Sequence, residues 1–339
     1  MKNPEQPGWP LIGLEESTRT LSMMIKSGRM PHALLFSGPS GCGKNTLARA
    51  LAAALNCAAP APDGSPCGQC PSCGKIRRDS HPDLKTIGPS GKSNQIKMDD
   101  VQVLRAEMGF RPYEGRIKVF IIREADRLGS ESGNALLKTL EEPPPDSMLI
   151  LTSASEAKVM STILSRCMRL RLPPLPQSLI LQTLKEQRGL NDLEARLLAA
   201  LSAGALGPAL NLDQDWCRRQ WDSLNLILSP ASAPKAMEAA WSWVKEQAAD
   251  EEHLPGEVLA IMHLWWRETF RLKASGQPAL EGPPASAAQS AWAEAASPLV
   301  IKQVIFALEK LEDSLSRFVK AELAYENYWL AVLKLSPFT

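Results

Sequence analysis

The run Gly38-Pro-Ser-Gly-Cys-Gly-Lys44-Asn45-Thr46 constrains this chain more than any other stretch, because it is a phosphate-binding loop pattern with one residue out of place. In G-x-x-x-x-G-K-[S/T] the glycines let backbone N–H groups curl round phosphate oxygens, the lysine adds a point charge, and the hydroxyl ligates Mg²⁺. Gly38, Gly43 and Lys44 are in place, but Asn45 stands where the hydroxyl belongs and Thr46 comes one position late. The context fits the loop: Ala33-Leu-Leu-Phe36 predicts a buried strand before it, and Thr46–Leu55 a helix after it. Gly38, Gly41, Gly43, Lys44, Asn45 and Thr46 therefore outline a degenerate nucleotide site. The loop shape is kept and metal-assisted hydrolysis is compromised, so binding of ATP or ADP is left open.

A length of 339 residues allows two or three domains, each with its own core. Hydrophobic and charged contents of 44% and 22% are those of a globular protein. No run of eighteen apolar residues occurs, and the start Met1-Lys-Asn-Pro-Glu-Gln-Pro7 lacks an apolar signal region, so the expectation is a cytoplasmic protein without a membrane partner. The formal net charge of +1 argues against a nucleic-acid binder that works by bulk charge, although a local basic patch is invisible in this sum. Seven cysteines in such a chain point to metal or free thiols rather than disulfides.

Strand-like and helix-like segments alternate from residue 1 to about 173, as in α/β folds. Ile117-Lys-Val-Phe-Ile-Ile122 and Met148-Leu-Ile-Leu-Thr152 read as strands of a parallel sheet buried on both faces. Beyond the joint Leu172-Pro-Pro-Leu-Pro176 nearly everything reads as helix, beginning with Gln177–Arg188 and Leu193–Leu201, with Gly189 and Gly204 as stops. A second break falls at Leu228-Ser-Pro-Ala-Ser-Ala-Pro234, and Ala274–Ala288 reads as a loop. The last helical stretch places Ile301, Val304, Ile305, Leu308, Leu311, Leu315, Phe318 and Val319 on one face. Trp241, Trp243, Trp265, Trp266 and Trp329 read as helical core or interface residues rather than base-stacking platforms.

Cys57, Cys67, Cys70 and Cys73 form C-x9-C-x2-C-x2-C in a segment dense with Gly, Pro and Ser. Four thiolates at this spacing can close a tetrahedron round Zn²⁺, and the short segment has too little apolar content to fold without a staple. With four cysteines and no open position the expected role is structural. An iron–sulfur cluster and four unrelated thiols are the other readings.

Several ordered segments together resemble bacterial DNA polymerase III clamp-loader subunits of the AAA+ superfamily. They are Met30–Lys44, the four-cysteine module after the following helix, His81-Pro-Asp83, Asn134-Ala-Leu-Leu-Lys-Thr-Leu-Glu-Glu-Pro-Pro144 and Ser165-Arg-Cys167. The resemblance covers about 175 residues strongly and implies a P-loop domain (1–173) with a parallel sheet and an inserted zinc module (57–73). It also implies a helical lid (174–228) and a C-terminal helical collar (229–339).

The departures from the family pattern are informative. An ATP-hydrolysing relative ends its second acidic strand in Asp-Glu, for Mg²⁺ and the attacking water; this chain has Arg123-Glu124. Gly207, in Gly204-Ala-Leu-Gly-Pro-Ala-Leu210, occupies the place of a nucleotide-sensing lid arginine. Arg166 of Ser165-Arg166-Cys167 is retained, and the resemblance makes it a finger reaching the ATP site of a neighbouring subunit. The reading is a non-hydrolysing stator with gamma/tau and delta subunits as partners, meeting the sliding clamp and primer-template DNA through the complex. The alternatives are an active gamma/tau-type ATPase and a zinc-containing DNA-binding repair factor.

Overall fold

A computed structural model of the chain describes residues 8–91, 94–230, 233–317 and 319–338. The expectations for Met1–Pro7, for Ala231 and Ser232 in the second break, and for Phe318 lie outside the described residues. The chain divides into two compact units, Met1–Leu175 and Pro176–Thr339, so the division falls inside the proline-rich joint.

The first unit runs α1 (Glu15–Ser27), β1 (Ala33–Ser37), α2 (Lys44–Leu55), α3 (Pro71–Arg77), β2 (Leu84–Ile87), α4 (Met98–Met108) and β3 (Lys118–Ile122). It continues with α5 (Ser130–Glu141), β4 (Ser147–Ser153), α6 (Ser161–Leu164) and β5 (Met168–Arg171). The strands form one parallel sheet in the order β2-β3-β4-β1-β5. Every residue of β1, β3 and β4 is buried, whereas the two edge strands are partly open. This is why the central three read as unbroken apolar runs: helices cover both faces, and no polar alternation is needed. Leu35, Phe120, Ile122, Leu149 and Leu151 pack with Val101, Leu104, Leu136 and Leu140. Burying each such side chain contributes about 1.5–3 kcal/mol. The sheet gathers the ends of β1, β3 and β4 at one carboxyl edge, the edge where open α/β sheets carry their ligands.

The second unit is helical among its described residues: α7 (Gln177–Arg188), α8 (Asp192–Leu201), α9 (Leu206–Asn211), α10 (Gln214–Ile227), α11 (Ala233–Ala249), α12 (Pro255–Ser275), α13 (Ala287–Ala295), α14 (Pro298–Ser316) and α15 (Ala321–Leu335). Gly189 ends α7 in the left-handed region, and an Asn191–Glu194 capping box starts α8. Trp243, Trp265, Trp266, Trp292 and Trp329 are buried, with Trp266 and Trp292 edge to face at 4.9 Å. They form core, and no stacking platform is made from them.

Two details differ from the sequence reading. The loop expected over Ala274–Ala288 is shorter: α12 runs to Ser275 before Gly276 caps it, and a Ser286–Gln289 capping box opens α13. The apolar stripe of the last helices buries Ile301, Val304, Leu308 and Leu311 but does not reach Val319, which lies past the end of α14 and is exposed. Among the described residues no helix is long and apolar enough to cross a membrane.

Candidate functional site

The phosphate-loop residues lie between β1 and α2. Gly38 (φ +151°), Gly41 (φ +75°) and Gly43 (φ +99°) adopt backbone that side-chain-bearing residues avoid. At Gly38 there is also no room, since a Cβ would lie 2.3 Å from the carbonyl oxygen of Leu172. Gly43 precedes α2, and among the described residues no side-chain cap is bonded to the helix's first amides, so that helix N-terminus retains donors suited to an anion. The Lys44 ammonium is folded into the loop, donating to Gly38 O at 2.7 Å and to Pro39 O at 2.6 Å. Cys42 is buried beside it, and burial pushes its thiol up despite that positive neighbour.

The other residues singled out from the sequence have contacts within the chain. Asn45 Oδ1 accepts from the Thr152 hydroxyl at 3.4 Å, and Thr152 Oγ1 in turn accepts from the backbone N–H of Glu124 at 3.2 Å. Thr46 follows on α2. The Glu124 carboxylate pairs with Arg127 Nε at 2.7 Å, and its backbone is left-handed at φ +52°. Arg123 lies against the end of β2: a Cβ on Gly88 would meet its Nε at 3.0 Å. Ser153, at the end of β4, donates to Asp126 Oδ1 at 2.7 Å. Gly207 is the second residue of α9, whose Ala209 carbonyl, with that of Leu212, accepts from Arg188.

Arg166 lies in the turn between α6 and β5. Its side chain is 34% exposed and is held by Thr162 O, Ser165 Oγ and the Glu141 carboxylate at the end of α5. The fixed contact with Glu141 is not visible in the motif that flags Arg166, because the two residues are 25 positions apart.

The four cysteines of the insert come together. Cys57 follows α2, Cys70 caps the start of α3 with Pro71 as its first residue, and Cys73 lies on α3. All four sulfurs lie within 4.8 Å of one another, with Cys57 3.8 Å from Cys73 and 4.0 Å from Cys70. A tetrahedron with metal–sulfur bonds of about 2.3 Å has edges of about 3.8 Å, so the donor set fits a four-coordinate, thiophilic ion. Backbone N–H groups of Cys67 and Cys70 donate to the sulfurs of Cys57 and Cys67, each at 3.3 Å. Such donors steady thiolate ligands from outside the coordination shell. Burial raises the Cys67 thiol, but the amides of Cys70 and Gln69 outweigh it and hold the thiol at about 6.

The motif His81-Pro-Asp83 has specific partners in the structure. Asp83 N donates to His81 Nδ1 at 3.1 Å, which leaves Nε2 to donate to Ser72 Oγ at 3.0 Å on α3. The Asp83 carboxylate accepts the backbone N–H groups of Tyr113, Glu114 and Gly115 at 2.7–2.9 Å. Burial raises its pKa, yet these donors outweigh it and hold the carboxyl below its ordinary value. Asn56 closes the same corner, accepting from Arg116 N and Ile117 N and donating to Ile117 O. The motif thereby ties the cysteine module to the loop that feeds β3.

A family model described as "DNA polymerase III, delta subunit" matches residues 13–176. The gamma/tau subunit of DNA polymerase III from Mycobacterium tuberculosis (strain CDC 1551 / Oshkosh) is 37% identical over 202 residues, which is 58% of this chain and 34% of that protein. The tau subunit of Escherichia coli (strain K12) is 36% identical over 207 residues, 60% of this chain and 32% of its own length. The delta-prime subunit of Bacillus subtilis (strain 168) is 36% identical over 178 residues, 52% of this chain and 53% of its own. The chain thus spans about a third of the length of the gamma/tau relatives and about half of the delta-prime relative. A solved structure of a gamma-subunit-related protein from Thermotoga maritima covers 94% of this chain and 99% of its own, at 15% identity and a TM-score of 0.48.

Proposed function

We propose that the chain is a clamp-loader subunit of DNA polymerase III and, within that family, a non-hydrolysing stator of the delta-prime type. The observation that carries the reading is an asymmetry. Asn45, Arg123 and Gly207 replace three parts of a hydrolysis site, and the first is tied to Thr152 while the second lies against Gly88. Arg166 nevertheless remains at the surface with N–H groups to spare.

Its partners in this proposal are gamma/tau and delta subunits in a ring, with the sliding clamp and primer-template DNA reached through that complex in the cytoplasm. Phosphoryl transfer spreads negative charge over the equatorial oxygens of the transferred group. An arginine supplied in trans stabilises that charge by a factor on the order of 10³–10⁵. Arg166 is that arginine here, and hydrolysis at the neighbouring site then depends on assembly. Cys57, Cys67, Cys70 and Cys73 hold Zn²⁺ in a closed, structural site. Residues 174–228 serve as lid and 229–339 as collar. A nucleotide phosphate at the loop requires Lys44 to leave Gly38 O and Pro39 O.

A second reading, an active gamma/tau-type ATPase, is supported by the longer match to gamma/tau, 37% identity over 202 residues against 36% over 178 residues to delta-prime. Incubation of the purified chain with Mg²⁺ and ATP separates the two. The stator gives no turnover above background. A rate near about 1 s⁻¹ that disappears in Lys44→Ala supports the ATPase instead.

A further inference from the structure

Arg166 is held in place by its own subunit. Nη1 donates to Thr162 O at 2.9 Å and to Ser165 Oγ at 3.2 Å, and Nη2 donates to Glu141 Oε1. A guanidinium has five N–H groups. Two of them, on Nε and on Nη2, have no partner among the described residues. The group is thus fixed on one side and open on another.

The Glu141 side chain is 51% exposed, and an ion pair this open to water contributes little to stability. Its effect is on geometry. Arg166 is a long side chain with many rotamers, and an arginine that must stabilise a transition state loses rate when it has to be ordered at the moment of reaction. Thr162 O and Ser165 Oγ come from the same turn as Arg166, so they move with it. Glu141 is different: it ends α5, whose Leu136 and Leu140 are packed in the core, and it anchors the guanidinium to the body of the first unit.

The geometry points to Glu141 as the positioning residue of Arg166, holding the guanidinium so that its free N–H groups meet a phosphate of the adjoining subunit. This rests on the trans-acting role proposed above for Arg166. The carboxylate acts through hydrogen bonding more than through charge, because an acid near the neighbour's phosphate is otherwise unfavourable.

The experiment is single-turnover ATP hydrolysis at the adjoining gamma/tau site in a reconstituted ring, with Glu141→Ala and Glu141→Gln placed in wild-type and Arg166→Ala backgrounds. Glu141→Ala lowers the maximal rate roughly three- to tenfold while the ATP concentration for half-maximal rate and ring assembly are unchanged. Glu141→Gln keeps most of the rate, since its amide oxygen accepts the same bond. In the Arg166→Ala background Glu141→Ala has no further effect. Equal slowing in both backgrounds makes Glu141 structural and overturns the inference. Slowing by Arg166→Ala with none from Glu141→Ala overturns it as well, yet leaves the trans-acting arginine standing. No effect of Arg166→Ala removes both.

Discussion

The Thr152 hydroxyl donates to Asn45 Oδ1 at 3.4 Å, so the residue that follows Lys44 in the phosphate-loop pattern is joined to β4. Through the N–H of Glu124 the same hydroxyl reaches the end of β3. The amide at position 45 is therefore part of a small network across the carboxyl edge of the sheet.

On the proposed stator reading, one reversion does not rebuild a hydrolysis site. Arg123→Asp alone, and Asn45→Thr alone, leave the isolated chain without measurable ATP turnover. A steady-state assay with Mg²⁺ checks this; a rate near about 1 s⁻¹ in either variant contradicts the multiple-loss account.

The cysteine module predicts about one metal ion per chain, with zinc as the ion found by elemental analysis of protein prepared without chelator. Cys70→Ser loses the metal and lowers the melting temperature by several degrees, because metal binding is linked to folding of the insert. Chelator gives the same shift in the wild-type protein. Metal-free protein that melts at the wild-type temperature contradicts the structural role.

Asp83 predicts an acid-limited contribution to stability. Its folded pKa is depressed, so its contribution is fully present above the unfolded value of about 3.9 and is lost as pH falls through the folded value. Asp83→Asn costs about 2 kcal/mol at pH 7, where a charge-assisted acceptor of three N–H groups is replaced by a neutral one. Urea unfolding from pH 7 to pH 3 shows the wild-type advantage shrinking at the acid end. An advantage independent of pH contradicts the charge argument.

Gly115 lies between Asn56 and Asp83, and a Cβ there would be 2.4 Å from Asn56 Oδ1 and 3.1 Å from Asp83 Oδ2. Gly115→Ala destabilises by about 1–3 kcal/mol through this overlap. Gly256→Ala, whose Cβ meets nothing within 4 Å, is the control in the same unfolding measurement.

What the sequence made legible follows from how local the signals are. β3 and β4 were readable because burial on both faces leaves unbroken apolar runs, and α7 because Pro176 and Gly189 bracket it. The cysteine insert was readable because its four cysteines lie within seventeen residues of one another. Asp83 and Asn56 were not, since their partners lie about 30 and 60 residues away and only the fold brings them together. Val319 misled for the opposite reason: its spacing continues the stripe of α14, but the helix has already ended at Ser316.

The central claim is that the chemistry of this chain is performed in a neighbour's site, and Arg166→Ala tests it most directly. The measurement is single-turnover hydrolysis, with DNA and clamp present, in rings where only the adjoining gamma/tau site is competent. The account predicts an intact ring, unchanged metal content and a rate at least about tenfold slower, or about 1.4 kcal/mol of lost transition-state stabilisation, with poor rescue by Arg166→Lys. An unchanged rate in an intact ring contradicts it.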